Sequence, residues 1–113
     1  MIDSATLWWD SGKDCLCYIE QTLLPGEYRI IECRTVDRLA TAIRRLEVRG
    51  APALGVAGAY GVALAARTSP HEDFGAFMAG VRQAAELLRS TRPTAINLGW
   101  GINRVLVALA AAG

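Results

Sequence analysis

Lysine and histidine are almost missing from this chain of 113 residues, where Lys13 and His71 are single occurrences against eleven arginines. The arginine excess is what coding-base bias produces, so by itself it marks no site. With one histidine, a metal site built on Cys15 and Cys17 would have only Cys33 and His71 left to draw on, and no metal or cofactor is expected. A surplus of either charge is also lacking. Twelve basic side chains face eleven acidic ones, for a net charge of +1, which removes the electrostatic footprint of a nucleic-acid or anionic-membrane binder. Cysteine is scarce and odd in number, which excludes a disulfide framework and points to a reducing, cytoplasmic compartment. The longest uncharged run, Gly50 to Ala66, is seventeen residues and contains Pro52 and four glycines. That is at the short limit for a membrane span and reads better as a buried helix. Met1-Ile2-Asp3-Ser4 shows no basic region leading into an apolar run, so no secretory signal is expected.

What is present is enough apolar material, 52% of residues, for one domain with a core. The first third reads as strands. Leu7-Trp8-Trp9, the turn Asp10-Ser11-Gly12-Lys13 and Cys15-Leu16-Cys17-Tyr18-Ile19 make a hairpin, and Tyr28 to Cys33 makes a third strand after the turn Leu24-Pro25-Gly26-Glu27. The period then changes. Thr35 is placed to cap a helix whose Leu39, Ala42, Ile43 and Leu46 share a face. A second helix should run from Pro52 to about Arg67. Its Gly55, Gly58 and Gly61 each cost about 0.8–1 kcal/mol relative to alanine, so close packing must hold it. Ser69-Pro70-His71-Glu72 carries a capping-box pattern for a third helix with Phe74, Phe77, Met78, Val81, Ala85 and Leu88 as its stripe. A fourth begins near Thr94 and buries Leu98, Ile102, Val105, Leu106 and Leu109. The expected fold is α+β, a small antiparallel sheet of about three strands followed by a bundle of about four helices.

The residues that carry chemistry are Arg49-Gly50-Ala51-Pro52. Proline is favoured at a helix start, and the unpaired amides and positive dipole end there attract anions. Gly50 lets a ligand oxygen approach the backbone, and Arg49 adds a permanent cation. Arg92-Pro93-Thr94 repeats the arrangement, with the residue before proline held extended and outside the helix. Together they suggest two arginine-flanked helix starts converging on one phosphate. Other candidates read as structure. The glycine triplet sits inside a helix, not after a strand, and so lacks the dinucleotide-loop context. Cys15 and Cys17 share one strand face, and all three cysteines read as small buried hydrophobes. His71 lies exposed in the first turn of its helix. Trp8, Trp9 and Trp100 read as core or domain-contact residues, and Asp10, Asp14, Glu20 and Glu32 form no acid–base pair.

Val48-Arg49-Gly50-Ala51-Pro52-Ala53-Leu54-Gly55-Val56-Ala57 with Ala59-Tyr60-Gly61, together with Arg92-Pro93-Thr94-Ala95-Ile96-Asn97-Leu98, resembles the signatures of the methylthioribose-1-phosphate isomerase family. Gln21 to Pro25 and Glu32 to Thr35 match its opening region, so the likeness runs from about Leu7 to Arg104. The wider family includes ribose-1,5-bisphosphate isomerases and regulatory subunits of a translation initiation factor's exchange complex. The resemblance implies an aldose–ketose isomerisation of 5-methylthioribose-1-phosphate in methionine salvage. Residues 1–113 would be an N-terminal phosphate-gripping domain, with Arg49, Gly50, Ala51 and Arg92 binding substrate. It implies that the catalytic cysteine and aspartate belong to a C-terminal domain, so none is carried by this chain. The implied partners are a sugar phosphate, that domain and a second copy in a homodimer. Glu20 stands where the family usually has aspartate, and Gly99 where it has a bulky residue. The alternatives are a non-catalytic sugar-phosphate-sensing or assembly module of the initiation-factor type, or a ribose-1,5-bisphosphate isomerase.

Overall fold

The computed structural model describes residues 6–112; the Met1–Ser4 segment considered above lies outside them. Three strands, β1 (Leu7–Asp10), β2 (Cys15–Ile19) and β3 (Ile30–Cys33), form an antiparallel sheet in the order β1-β2-β3. Leu7 pairs with Tyr18, and Leu16 with Cys33. The hairpin turn closes where the Lys13 amide donates to Asp10 Oδ1 at 3.0 Å, and Asp14 takes φ 57° to re-enter the sheet. The third strand is shorter than its apolar run. The Glu20 amide still donates to the Arg29 carbonyl (2.9 Å), but Tyr28 falls past the pairing and is exposed.

Four helices follow: α1 (Val36–Arg44), α2 (Ala51–Thr68), α3 (Phe74–Thr91) and α4 (Ile96–Ala112). Thr35 caps α1 as expected, accepting from the Arg38 amide at 3.1 Å. Leu46 does not join its face. The helix ends in a reversal in which the Leu46 amide donates to the Ile43 carbonyl and the Glu47 amide to the Ala42 carbonyl, with Leu46 at φ 65° and its side chain turned outward. This is a Schellman closure with leucine where glycine is usual.

The start of α3 differs from the capping-box reading. Asp73, not Ser69, is the cap, accepting from the Ala76 amide at 2.9 Å. Helix α2 runs through Thr68, so Ser69 closes that helix instead and its hydroxyl accepts from the His71 amide. A carboxylate cap also gains from the helix dipole, which a serine does not. Phe74, now the first helical residue, is largely exposed and stacks on Phe77. Helix α4 likewise starts at Ile96, because Arg92 to Ala95 form a turn closed by the Ala95 amide on the Arg92 carbonyl.

One core joins the sheet face of Leu7, Leu16, Tyr18 and Cys33 to Leu39 and Ile43 of α1, Val62 and Leu64 of α2, Val81 and Leu88 of α3, and Leu98 and Ile102 of α4. The glycines explain how α2 and α4 meet. A Cβ at Gly58 would lie 2.6 Å from the Leu98 carbonyl oxygen, and one at Gly101 would collide with the Gly55 carbonyl. Gly55 faces Asn97 and Gly58 faces Leu98 and Ile102. Position rises together along both helices, so α2 and α4 run the same way and their starts lie at one end. Helix α3 carries the chain back between them. All three cysteines are buried and free, as expected of small hydrophobes; Cys15 and Cys17 place their sulfurs 3.8 Å apart, and burial beside Cys15 pushes the Cys17 thiol up to about 11. Among the described residues no helix is long and apolar enough to cross a membrane.

Candidate functional site

The α2 start is built from a residue that only glycine fills comfortably. Gly50 is the N-cap at φ 95°, ψ 138°. A Cβ there would meet nothing within 4 Å, so backbone conformation, not space, demands glycine. No side chain caps the helix. The Leu54 amide is the first to find the Gly50 carbonyl (2.9 Å), which leaves the amides ahead of it directed out of the helix end. Pro52 has none to lose. Arg49, Gly50, Ala51 and Pro52 are all exposed. Arg49 makes no hydrogen bond or ion pair with another described residue.

Arg92 sits at the other end of the turn that leads into α4, at φ −146°, ψ 75°, off the end of α3 as the following proline requires. It is half-buried in a hollow of about 460 Å³ shared with Glu86, Arg89, Ser90 and Leu98. Glu86 is taken by Arg89, which also donates to Asn103. Arg92 has no ion-pair partner among the described residues. The chain therefore spends Arg89 on local structure and leaves Arg92 uncommitted. The glycine seam places the α2 and α4 starts together, with Gly55 one turn into α2 against Asn97 in the first turn of α4.

Beneath Arg49 lies a polar cluster that the sequence did not reveal. Glu47 is 1% exposed. Its Oε1 accepts from Tyr18 Oη at 2.7 Å and from Arg38 Nη2 at 2.8 Å, and its Oε2 pairs with Arg45 Nη1 at 3.2 Å. Burial opposes its charge, but the bonds from Tyr18 and Arg38 and the charges of Arg38 and Arg45 outweigh that and hold the carboxyl below the ordinary glutamate range. Burial, then the Glu47 bond, pushes the Tyr18 hydroxyl far above its ordinary value. Main-chain bonds complete the anchor: the Glu47 carbonyl accepts from the Gln21 amide at 2.9 Å.

A groove of about 770 Å³ runs along the α2–α4 seam from Pro52 and Asn97 past Tyr60 and Trp100 to Arg104. Trp100 is 62% exposed, with the Arg104 guanidinium 5.2 Å over its ring, while Trp9 stacks on Tyr60 and lies under Arg67. Trp9 is thus a packing residue, and Trp100 belongs to an open face with Ile96 and Val107.

Residues 47–112, more than half of the chain, match the Initiation factor 2 subunit family. The chain belongs to that family. It is 48% identical over 104 residues to the methylthioribose-1-phosphate isomerase of Roseiflexus sp., with 89% of this chain and 29% of the relative aligned. Two solved structures superpose at a TM-score of 0.87. One is 5-methylthioribose 1-phosphate isomerase from Pyrococcus horikoshii, 38% identical, with 94% of this chain and 29% of that one covered. The other is the translation initiation factor eIF-2B, subunit delta, from A. fulgidus, 51% identical, covering 96% and 31%. The chain spans about 30% of the length of the curated relatives it matches.

Proposed function

We propose that this chain is the substrate-phosphate-binding domain of an aldose–ketose isomerase that converts 5-methylthioribose-1-phosphate to 5-methylthioribulose-1-phosphate. The observation that carries the reading is the side-by-side placement of two helix starts, one uncapped at Gly50–Ala51 and each preceded by an arginine with no partner among the described residues. In this reading Arg49 and Arg92 neutralise the phosphate while the Gly50 and Ala51 amides donate hydrogen bonds to its oxygens. The phosphate ester sits on the anomeric carbon and locks the ring. Ring opening and hydrogen transfer between the first two carbons then need an acid–base pair from the part of a full-length relative that this chain does not span. The open α4 face of Ile96, Trp100 and Val107 is the kind of apolar patch against which such a part packs.

Charge-assisted hydrogen bonds contribute roughly 1.5–3 kcal/mol each and the dipole about 0.3–1. After the cost of immobilising the ligand, that supports binding near the millimolar level, about 4 kcal/mol. Titrating the ¹⁵N-labelled chain with inorganic phosphate should shift the Gly50 and Ala51 amides and those of the α4 first turn, with Arg49→Gln and Arg92→Gln each weakening binding about tenfold. The chain alone should not turn over substrate. Isomerase activity from residues 1–113, or shifts scattered away from both helix starts, would overturn the reading. The likeness to the A. fulgidus eIF-2B subunit favours a second one, a non-catalytic sugar-phosphate-sensing or assembly module. That reading gains if a full-length protein containing this chain binds the sugar phosphate and returns it unchanged.

A further inference from the structure

We propose that Glu47 is the positioning residue of the phosphate grip, an inference that rests on the reading just given. The connection from α1 to α2 turns through two positive-φ residues, Leu46 at 65° and Gly50 at 95°, with only Glu47, Val48 and Arg49 between them. A short segment bounded by two such residues has many alternative paths unless something ties it down. Glu47 does so from three directions at once. Its side chain is held from the sheet by Tyr18 on β2 and from α1 by Arg38, with Arg45 as the ion-pair partner of the second oxygen. Its main chain is held by the Ala42 carbonyl on one side and the Gln21 amide on the other. Val48, 3% exposed, buries the next step. The chain then surfaces at Arg49, where every side chain to Pro52 is exposed.

The tie explains why the exposed residues need no capping side chain or ion pair of their own. Their geometry is set from below, through a buried carboxylate whose donors come from β2, α1 and the α1 end. A grip arranged before the ligand arrives does not have to be ordered by it, and affinity lost to ordering is saved. Glu47 does not touch the phosphate. It acts through the path of the main chain at Gly50 and Ala51.

The test uses the 113-residue chain with inorganic phosphate as the probe, comparing wild type with Glu47→Gln, Tyr18→Phe and the core variant Val81→Ala. Glu47→Gln keeps the shape of the side chain and removes its charge. It should move and broaden the Gly50 and Ala51 amide signals without phosphate and raise the apparent Kd at least fivefold. Tyr18→Phe, which deletes one donor and leaves the ring in the core, should raise it two- to threefold and remains informative if Glu47→Gln fails to fold. Val81→Ala should lower the melting temperature from a buried position on α3 that makes no hydrogen bond to Glu47, and should leave the Kd within twofold of wild type. If wild type binds and neither Glu47→Gln nor Tyr18→Phe changes the free amide signals or the Kd, or if Val81→Ala weakens binding as much as they do, the positioning role is wrong. If wild-type signals at Gly50 and Ala51 ignore millimolar phosphate while Glu47→Gln still disturbs them, the grip itself is wrong and the tie is structural only.

Discussion

Two regions set the geometry of the α2 start, and they do it by opposite means. The α2–α4 seam works by removal: Gly55, Gly58 and Gly101 present no side chains, so main chain meets main chain and the two starts are held at one end by shape. The α1–β2 anchor works by addition, with one buried carboxylate drawing a tyrosine and two arginines onto a six-residue connection. The seam tolerates no added atom, and the anchor tolerates no lost one. Shape suits the relation between two long helices, where many contacts share the load. A short loop with few contacts needs a directional, charged tie.

The largest effect should come from cutting the anchor. Glu47→Ala leaves Arg38 and Tyr18 without their acceptor and should cost about 3–5 kcal/mol in denaturant unfolding; a loss under 1 would show that the cluster is ornamental. The acid limb should change with it. Because the folded-state pKa of Glu47 is depressed, its contribution is complete above the ordinary glutamate value and disappears as pH falls through the lowered one. Stability measured from pH 6 downward should therefore fall more steeply in wild type than in Glu47→Gln.

Filling the seam comes next. Gly101→Ala drives a methyl into the Gly55 carbonyl and should destabilise by about 3 kcal/mol, the upper part of the overpacking range. Gly99, two residues earlier in the same helix, sharpens the contrast, since a Cβ there meets nothing within 4 Å. Gly99→Ala should raise stability by about 0.8 kcal/mol from helix propensity alone. Equal effects at the two positions would remove the argument that backbone contact, not helix preference, keeps these glycines. The smallest expected change is at Leu46. Glycine relieves the left-handed conformation but gives up chain stiffness, and the half-exposed leucine loses little burial, so Leu46→Gly should gain about 0.5 kcal/mol.

Much of the fold could be read locally because its signals are local. The Thr35 cap, the glycine–proline start of α2 and the turn-bounded apolar run of β2 each depend on a few neighbours. The α3 start could not, because Ser69 and Asp73 both satisfy the capping rule and only the length of α2, through Thr68, decides between them. Glu47 was invisible for a different reason. Set among Arg44, Arg45 and Arg49 it looks like one more solvated charge, and its chief donor, Tyr18, is 29 residues away.

The linear order of residues was enough to determine three strands before four helices and the small-residue character of α2, and it singled out Arg49, Gly50, Ala51 and Arg92 as the residues proposed to hold an anion. Those are properties of periodicity, conformational freedom and charge, which neighbouring residues carry among themselves. Tertiary structure alone decided that α2 and α4 run the same way with their starts together, and that a glutamate is buried beneath them. Both depend on which surfaces remain apolar enough to leave water once the chain has closed, and that is a property of the packed whole.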